Sequence, residues 1–263
     1  MRTTLKVIGS AFLGGVLLLP NTRSLQTVAA TPPSDTKPKH ELVPDFCQRD
    51  TRYGKFPWDG RVQCGPAAVS NLLIYLHRTS FPGLLSKKNP SPYDQAELIN
   101  LLSSDKYMKL DKVNGVSPHN LMSGLKQYLV DKGYEADVQY IGYQVDDIDK
   151  NQNLNGGGYI TPIMIKDKFD QGFECIVRIG YYKNNVRIDG HYAAVVGFKG
   201  GDERKILVHD SSGGSGLEKK TEVWNLRREK NRNGYWEVMG VANAGRGETV
   251  YLDGAIVFKP LKK

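Results

Sequence analysis

Residues 63–76 read Gln-Cys-Gly-Pro-Ala-Ala-Val-Ser-Asn-Leu-Leu-Ile-Tyr-Leu, and they predict a buried helix that begins beside a cysteine. Pro66 suits the first turn of such a helix, because its missing N–H would be unpaired there in any case. The apolar side chains that follow have the spacing of one buried helical face, at Val69, Leu72, Leu73 and Leu76. Cys64 would then lie at a helix N-terminus, where unpaired N–H groups and the helix dipole favour the reactive thiolate. The alternative is an inert cysteine at the start of an apolar helix.

The first thirty residues have the pattern of a secretory signal peptide. Arg2 and Lys6 precede an apolar run over 7–19, and small residues follow up to Ala30, where we expect cleavage. An uncleaved membrane anchor is the alternative, although the apolar run is short for a membrane span. Residues 31–42, rich in Pro and Lys, are predicted to be a flexible linker. The protein is therefore expected to be exported, whether secreted, periplasmic or associated with the cell envelope.

The rest of the chain is predicted to be one domain over residues 43–263, which is long enough to bury a core. The sequence is 40% apolar and contains 14 tyrosines, as is typical of a globular protein. Its formal charge is +8, part of which lies in the leader, and the remaining excess is scattered along the chain. A nucleic-acid-binding protein more often gathers positive charge into one stripe. The sequence therefore predicts no nucleic-acid partner and at most a weak contact with an anionic cell envelope.

Three cysteines, Cys47, Cys64 and Cys175, form an odd set in a chain that we expect to be exported. Cys47 and Cys175 are predicted to pair in an oxidising compartment, which would leave Cys64 as a thiol; three unpaired cysteines are the alternative. The cysteines and the five histidines lack the paired short spacings of a zinc site. The sequence thus predicts no metal and no cofactor.

The domain divides into a helical first half and a strand-rich second half. Helices are predicted over residues 66–78, over 94–102 with Asp94 as its cap, over 117–132 and over 145–150. Strands are predicted over 135–141, 159–165, 191–198, 205–209, 236–241 and 255–258, with loops over 81–93 and 151–158. This order predicts an α+β fold in which an N-terminal helical part packs on a C-terminal antiparallel sheet.

A second chemical pattern lies in two neighbouring strands. His191 begins the run His-Tyr-Ala-Ala-Val-Val-Gly-Phe, and Asp210 ends the run Lys-Ile-Leu-Val-His-Asp. The turn Lys199-Gly-Gly-Asp between them predicts an antiparallel hairpin, so that His191 and Asp210 meet at one edge of the sheet. The carboxylate could there orient the imidazole as a base for a cysteine; otherwise the two are ordinary strand-end and turn residues. His209 is a rival base, but strand alternation puts it on the opposite face from Asp210.

Taken together, these blocks resemble the papain-like cysteine peptidases grouped with the bacteriocin-leader, or double-glycine, peptidases. The resemblance is carried by Cys64-Gly-Pro, by Gly190-His191-Tyr-Ala-Ala-Val-Val-Gly-Phe and by Val208-His-Asp210. The segment over 43–50 is similar to the one that supplies an oxyanion-stabilising glutamine in that family. The resemblance spans 43–76 and 190–211, and it departs from the family at Ser211, where many relatives have proline. It implies a papain-like fold and acyl chemistry at a thiol.

Carried over residue by residue, the resemblance implies that Cys64 is the nucleophile, that His191 is the base and that Asp210 orients His191. Gln48 would donate a hydrogen bond to the oxyanion, together with the backbone N–H of Cys64, an interaction typically worth about 3 kcal/mol. Gln63 is a rival donor because it adjoins the nucleophile, although a side chain in that position usually points away from its neighbour's site.

The resemblance implies an exported cysteine peptidase that hydrolyses a peptide or amide bond through a thioester acyl-enzyme, with a peptide or protein as its substrate. Two alternatives stay open. Transglutaminase-like acyl transferases use the same order of Cys, His and Asp. A catalytically silent binding module could also be built on the same scaffold.

Overall fold

The computed structural model describes residues 37–142, 160–212, 220–229 and 234–262 of the 263-residue chain. Its helices are α1 (Lys39–Leu42), α2 (Cys64–Thr79), α3 (Pro92–Ser103), α4 (Pro118–Asp131) and α5 (Pro162–Asp170). Its strands are β1 (Glu135–Gly142), β2 (Glu174–Lys183), β3 (Val186–Phe198), β4 (Lys205–His209), β5 (Glu222–Arg228), β6 (Trp236–Met239) and β7 (Thr249–Leu261). The predicted α+β class with an antiparallel sheet is confirmed, and four of the five described helices precede the first strand.

The three long helices of the first half lie where the sequence predicts them, and their N-termini follow from capping chemistry. The predicted helix over 66–78 is α2, which begins two residues earlier, at Cys64. The predicted cap of α3 is wrong: Ser91 is the N-cap, and Asp94 lies three residues later, where it accepts a hydrogen bond from Ser91 N at 2.8 Å. α4 begins after Ser117, whose hydroxyl accepts a hydrogen bond from Asn120 N at 3.1 Å.

The seven strands form one antiparallel sheet in the order β1-β7-β2-β3-β4-β5-β6. β7 lies between β1 and β2, although it follows every other described strand in the chain. β3 pairs with β2 on one side and with β4 on the other, so it lies well inside the sheet. The hairpin predicted between the third and fourth strands is therefore confirmed.

Alternating side chains of the strands divide the apolar residues into two clusters. Ile176, Ala194 and Ile256 belong to the cluster that contains the apolar face of α2. Their neighbours Val177 and Val195 belong to the second cluster, together with Ile165 from α5 and Trp224 from β5. Because a strand presents successive side chains to opposite faces, the sheet separates a helical layer from a second core.

The strand predicted over 159–165 is wrong, because α5 occupies most of that range. Thr161 is the N-cap of this helix, accepting a hydrogen bond from Met164 N at 3.4 Å, and Pro162 fills its first position. Two strands, β2 and β5, were not predicted, and β7 is much longer than the predicted 255–258. The helix predicted over 145–150 and the loop over 151–158 lie outside the described residues, as does the predicted signal peptide.

The predicted flexible linker over 31–42 is contradicted at its end, where Lys39–Leu42 form α1. Lys39 attaches this segment to the domain. Its ammonium group pairs with the carboxylate of Glu174 at 2.7 Å and lies 4.6 Å from the centre of the Phe169 ring. Residues 31–36 lie outside the described part. Among the described helices, none is long and apolar enough to cross a membrane.

The predicted disulfide between Cys47 and Cys175 is wrong, since neither sulfur is part of a disulfide in the described structure. Cys175 is completely buried in the second core, and its sulfur lies 3.7 Å from the carbonyl oxygen of Phe173. Cys47 follows Phe46, which packs with Ala67 of α2 in a separate small cluster. Cys175 and the neighbour of Cys47 thus belong to different apolar clusters.

Replacing Gly124 with alanine should destabilise the protein, although alanine favours an isolated helix by about 1 kcal/mol. A Cβ at this position of α4 would lie 2.5 Å from the carbonyl carbon of Tyr107 and 2.7 Å from Met108 N, both backbone atoms. We expect Gly124→Ala to lower the free energy of unfolding by about 1–3 kcal/mol, measured by urea titration. Ser123→Ala, at the exposed neighbouring position, is the matched control and should change it by less than about 0.5 kcal/mol. Equal stabilities for the two variants would contradict this packing.

Candidate functional site

Close packing between α2 and β3 brings Cys64 beside His191. Gly65 lies at this contact: a Cβ there would be in ordinary van der Waals contact with Tyr192 Cδ2, at 3.5 Å, and only 2.8 Å from a methyl group of Leu121 on α4. The Tyr192 hydroxyl donates a hydrogen bond to the carbonyl oxygen of Val116 at 3.1 Å, which fixes this ring against the helical layer. The residues that precede Gly65 and Tyr192 in the chain are therefore held next to each other.

The β3–β4 hairpin brings His191 to Asp210. His209 pairs with Ala194, and Asp210 follows directly after the end of β4. His191 Nε2 lies 2.6 Å from Asp210 Oδ1, and both residues are buried. His191 does not begin its strand as predicted, since β3 starts at Val186; the two residues meet because β4 ends beside the middle of β3.

The positive charge of His191 and the negative charge of Asp210 stabilise each other. Burial alone would lower the pKa of His191, but the charge of Asp210 and hydrogen bonds with Asp210 and Cys64 raise it well above its usual value. Burial alone would raise the pKa of Asp210, but the charge and hydrogen bond of His191, together with Ser212, lower it to about 2. An imidazolium and a carboxylate are therefore both favoured at neutral pH, with the Cys64 thiol in contact with the imidazolium.

The turn after Asp210 holds its carboxylate in place. The backbone N–H and the hydroxyl of Ser212 donate hydrogen bonds to Asp210 Oδ1 at 2.8 and 2.7 Å. Asn243 donates in turn to the Ser212 hydroxyl. The other carboxylate oxygen, Oδ2, is buried without a hydrogen-bond partner among the described residues. Oδ1 thus accepts all the described hydrogen bonds of this carboxylate, from Ser212 and from His191, which fixes the direction in which it faces the imidazole.

Gln48 lines the same cavity as Cys64 and His191, and its amide group joins two loops of the site. Its Nε2 donates hydrogen bonds to the carbonyl oxygens of Gly60 at 2.7 Å and Arg61 at 3.2 Å. Its Oε1 accepts one from the Ser211 hydroxyl at 3.0 Å, and its backbone N–H donates to Ser211 O at 2.8 Å. The side chain predicted to stabilise the oxyanion therefore also ties the turn before α2 to the turn after Asp210.

The two rival residues face elsewhere. Gln63 is completely buried, and its Nε2 donates hydrogen bonds to the Ser103 hydroxyl at 2.9 Å and to Asn100 Oδ1 at 3.3 Å, both on α3. The ring nitrogens of His209 lie 3.2 Å from the carbonyl oxygen of Pro44 and 3.1 Å from the hydroxyl of Thr221. Neither side chain lines the cavity. The structure thus brings together Cys64, His191, Asp210 and Gln48 and leaves the rivals outside.

Cys64 and His191 open onto a cavity of about 930 Å3. Its wall includes two arginines that were not predicted, Arg178 of β2 and Arg187 of β3. A signal for Arg178 exists in the sequence, because a charged residue interrupts the apolar run Cys-Ile-Val-Arg-Ile-Gly of a buried strand. Within the described ranges, no group of three or more histidine, cysteine or acidic side chains is arranged to hold a metal ion.

The pH dependence of stability should carry the signature of the His191–Asp210 pair. The stabilisation from the raised pKa of His191 is complete below its ordinary value of 6.5 and is lost as the pH rises through its folded-state value. The stabilisation from the lowered pKa of Asp210 is complete above its ordinary value of 3.8 and is lost as the pH falls towards 2. Both contributions are therefore complete between about pH 4 and 6.5.

We expect Asp210→Asn to lower the free energy of unfolding most within that window, and progressively less as the pH rises above it. Urea titrations at pH 5 and pH 9 measure the difference. Asp170→Asn, an exposed carboxylate of α5, is the control and should have a small effect at both pH values. An equal loss at pH 5 and pH 9 for Asp210→Asn would contradict the coupling.

No protein-family model matches this chain, and no curated protein is similar enough to it to count as a relative. A function for the chain therefore has to be inferred from its own residues: from the contacts among Cys64, His191 and Asp210, and from the groups that line the cavity beside them.

Proposed function

We propose that this chain is an exported cysteine peptidase of the papain-like kind, which hydrolyses a peptide or amide bond. The observation that carries the proposal is the imidazole of His191, which the buried carboxylate of Asp210 holds while the Cys64 thiol contacts it. A nucleophile, a base and a residue that orients the base are the parts that acyl chemistry at a thiol requires. The basic and apolar start of the chain supports export.

In the proposed reaction, Cys64 Sγ attacks the carbonyl carbon of the substrate, and the carbonyl oxygen takes the negative charge. Protonated His191 gives its proton to the leaving amine, and the C–N bond breaks to leave a thioester on Cys64. The neutral imidazole then takes a proton from water as the oxygen of that water attacks the thioester, which releases the acid and restores the thiolate. Asp210 stays ionised throughout, which fits its lowered pKa.

The proposed oxyanion donors are the backbone N–H of Cys64 and the side chain of Gln48. Cys64 is the first residue of α2, and the first N–H groups of a helix have no partner within the helix. Of the two hydrogen bonds that Gln48 Nε2 donates, the one to the Arg61 carbonyl oxygen is longer, at 3.2 Å. This N–H is the one that would turn to the substrate oxygen when negative charge develops there.

The dimensions and rim of the cavity support a peptide as the substrate. Its volume of about 930 Å3 is in the range that encloses a small ligand or a short peptide segment. Val113 and Ile188, two well-exposed apolar side chains, lie on the wall of the same cavity as Cys64. Apolar surface beside a polar reaction centre suits a substrate whose own side chains contribute to binding.

Cys64→Ala should reduce turnover by at least about 10³-fold and leave the melting temperature nearly unchanged, because the role of the thiol is chemical. A peptide-library cleavage assay on the mature chain measures the first effect and calorimetry measures the second. Cys47 and Cys175 are buried, whereas Cys64 is partly exposed, so iodoacetamide near neutral pH should add one label to the wild type and none to the variant. Retained cleavage, or labelling of another cysteine first, would contradict the assignment.

The same assay separates hydrolysis from acyl transfer. A peptidase releases an acid and an amine from the peptide, whereas an acyl transferase incorporates an added primary amine into the product. We expect mass spectrometry to detect the free acid even when a primary amine is present in excess. Quantitative incorporation of the amine would favour the transglutaminase-like alternative, and no product with any substrate would favour a binding module.

Gln48→Ala should lower kcat by about 10²–10³ with little effect on KM, if its hydrogen bond to the substrate forms mainly in the transition state. The variant should also lose some stability, because Ser211 and two backbone carbonyl groups lose their partner. Gln63→Ala is the matched control: it removes a buried hydrogen bond to Ser103, and we expect lower stability with an unchanged kcat. Similar values of kcat for the two variants would show that Gln48 acts only in holding the loops.

A further inference from the structure

Two arginines that the proposed reaction does not use line the cavity beside Cys64. Arg178 lies in the middle of β2, and Arg187 lies near the start of β3. Arg178 is only 8% exposed. Such burial is unusual for arginine, because its side chain stays charged in folded proteins. A buried guanidinium is costly unless an opposite charge and hydrogen bonds compensate it.

Only part of this compensation comes from the described residues around the two arginines. Arg187 Nε donates a hydrogen bond to Asp253 Oδ2 at 2.9 Å, and the Tyr182 hydroxyl donates one to Oδ1 at 3.0 Å. Arg178 has a hydrogen bond with Tyr140 and lies within electrostatic range of Asp253, which is 4% exposed. Among the described residues, this group of two guanidinium groups and the buried carboxylate of Asp253 therefore has more positive than negative charge.

A hydrogen-bond donor also remains. Arg187 Nη2 is buried and has no hydrogen-bond partner among the residues that the structure describes. The guanidinium lies over Gly190, because a Cβ on that glycine would be 2.1 Å from Nη2. Gly180, which pairs with Gly190 in the sheet, makes the same kind of room for Asp253, whose Oδ2 lies 2.5 Å from the Cβ position. The two paired glycines thus leave space above the sheet, and the side chains of Arg187 and Asp253 fill that space side by side.

Tyr192 places the arginines close to the nucleophile. It packs against Gly65, the neighbour of Cys64, and it lies close enough to Cys64, Arg178 and Arg187 to feel the charge of each. Tyr192 also pairs with Arg178 across the β2–β3 ladder. The two arginines and the thiol therefore line one cavity around the side chain of Tyr192, so one bound peptide can contact both.

Two acidic side chains line the same cavity, and each accepts a hydrogen bond from the backbone. Asp189 Oδ1 accepts a hydrogen bond from Gly190 N at 2.7 Å, and Glu248 Oε2 accepts one from Gly245 N at 2.8 Å. Two further arginines, Arg49 and Arg61, line the same cavity. Of the described residues, four arginines and two acidic side chains thus line the cavity, and this positive excess attracts anions.

We propose that Arg178 and Arg187 bind a carboxylate of the substrate next to the bond that reacts at Cys64. This proposal rests on the proposed function, because it takes the ligand to be the substrate of that reaction. The binding of a carboxylate itself requires no catalysis. Guanidinium groups match carboxylates in geometry as well as in charge. The carboxylate is either the side chain of an aspartate or glutamate beside the reacting bond, or the free C-terminus of a short peptide.

Binding is tested on the Cys64→Ala variant with a randomised tetrapeptide mixture, half with a free C-terminus and half with a C-terminal amide. Mass spectrometry of the retained peptides identifies what binds. Enrichment of Asp and Glu in both halves assigns the site to an acidic side chain. Enrichment of the free-carboxylate half at every composition assigns it to the C-terminus. Retention should fall as salt is added, since the attraction is between charges.

Two further substitutions in that background should act in opposite directions. Arg187→Gln should reduce the enrichment of carboxylates about tenfold, the factor that corresponds to one charged hydrogen bond. Asp253→Asn should increase it, because it removes the carboxylate that competes with the ligand for both arginines. Arg227→Gln, which removes an exposed arginine paired with Glu237 on β6, is the control and should change nothing. A purely structural role of the cluster would make Arg187→Gln and Asp253→Asn lower retention together.

Retention of neutral and acidic peptides in equal amounts, or no retention at all, would overturn the inference. If Arg187→Gln does not fold, two measurements still test the inference: whether Asp253→Asn raises or lowers the retention of carboxylate peptides, and whether retention falls as salt is added. Turnover by the wild type is measured separately with the same peptides. Carboxylate binding without turnover would overturn the proposed peptidase and keep this site, whereas turnover without a preference for carboxylates would do the reverse.

Discussion

The contact between Gly65 and Tyr192 is the constraint on which the candidate site depends. It joins the first turn of α2 to the middle of β3, and these two elements carry Cys64 and His191. A Cβ on Gly65 would lie in ordinary contact with Tyr192, at 3.5 Å, but 2.8 Å from a methyl group of Leu121, so α4 fills the space that the glycine leaves beside this contact. The geometry of the thiol and the imidazole is therefore a result of core packing.

Electrostatics then distinguishes two halves of one cavity. On one side His191 and Asp210 form a buried pair of opposite charges, with no net charge to neutralise. On the other side Arg187 pairs with Asp253 and Arg178 lies near both, so the described side chains there carry more positive than negative charge. The first arrangement is suited to moving a proton and the second to holding an anion; under the proposed function, a substrate that contacts both would be oriented before it reacts.

Local patterns in the sequence predicted the parts of the fold that local chemistry determines. α2 follows from a turn and an apolar period, and the meeting of His191 with Asp210 follows from a hairpin turn between two short strands. α5 could not be predicted in the same way, because its first residues are as apolar as a strand and only the cap at Thr161 decides between the two. The interruption of an apolar run marked Arg178 as unusual, but its surroundings could not be predicted, because the groups near its guanidinium come from other strands, Asp253 of β7 among them.

The position of β7 has a consequence for how the protein reaches its folded state. β7 lies between β1 and β2, and its register joins Leu261 to Glu135 across most of the domain. The entropy of closing so long a loop has to be overcome before pairing stabilises the sheet, which makes this kind of topology slow to fold. The β2–β3 and β3–β4 hairpins close only short loops, so we expect His191 and Asp210 to meet before β7 pairs with its neighbours. The pairing of β7 with β1 and β2 would then be the late step that completes the sheet around a site whose two halves have already met.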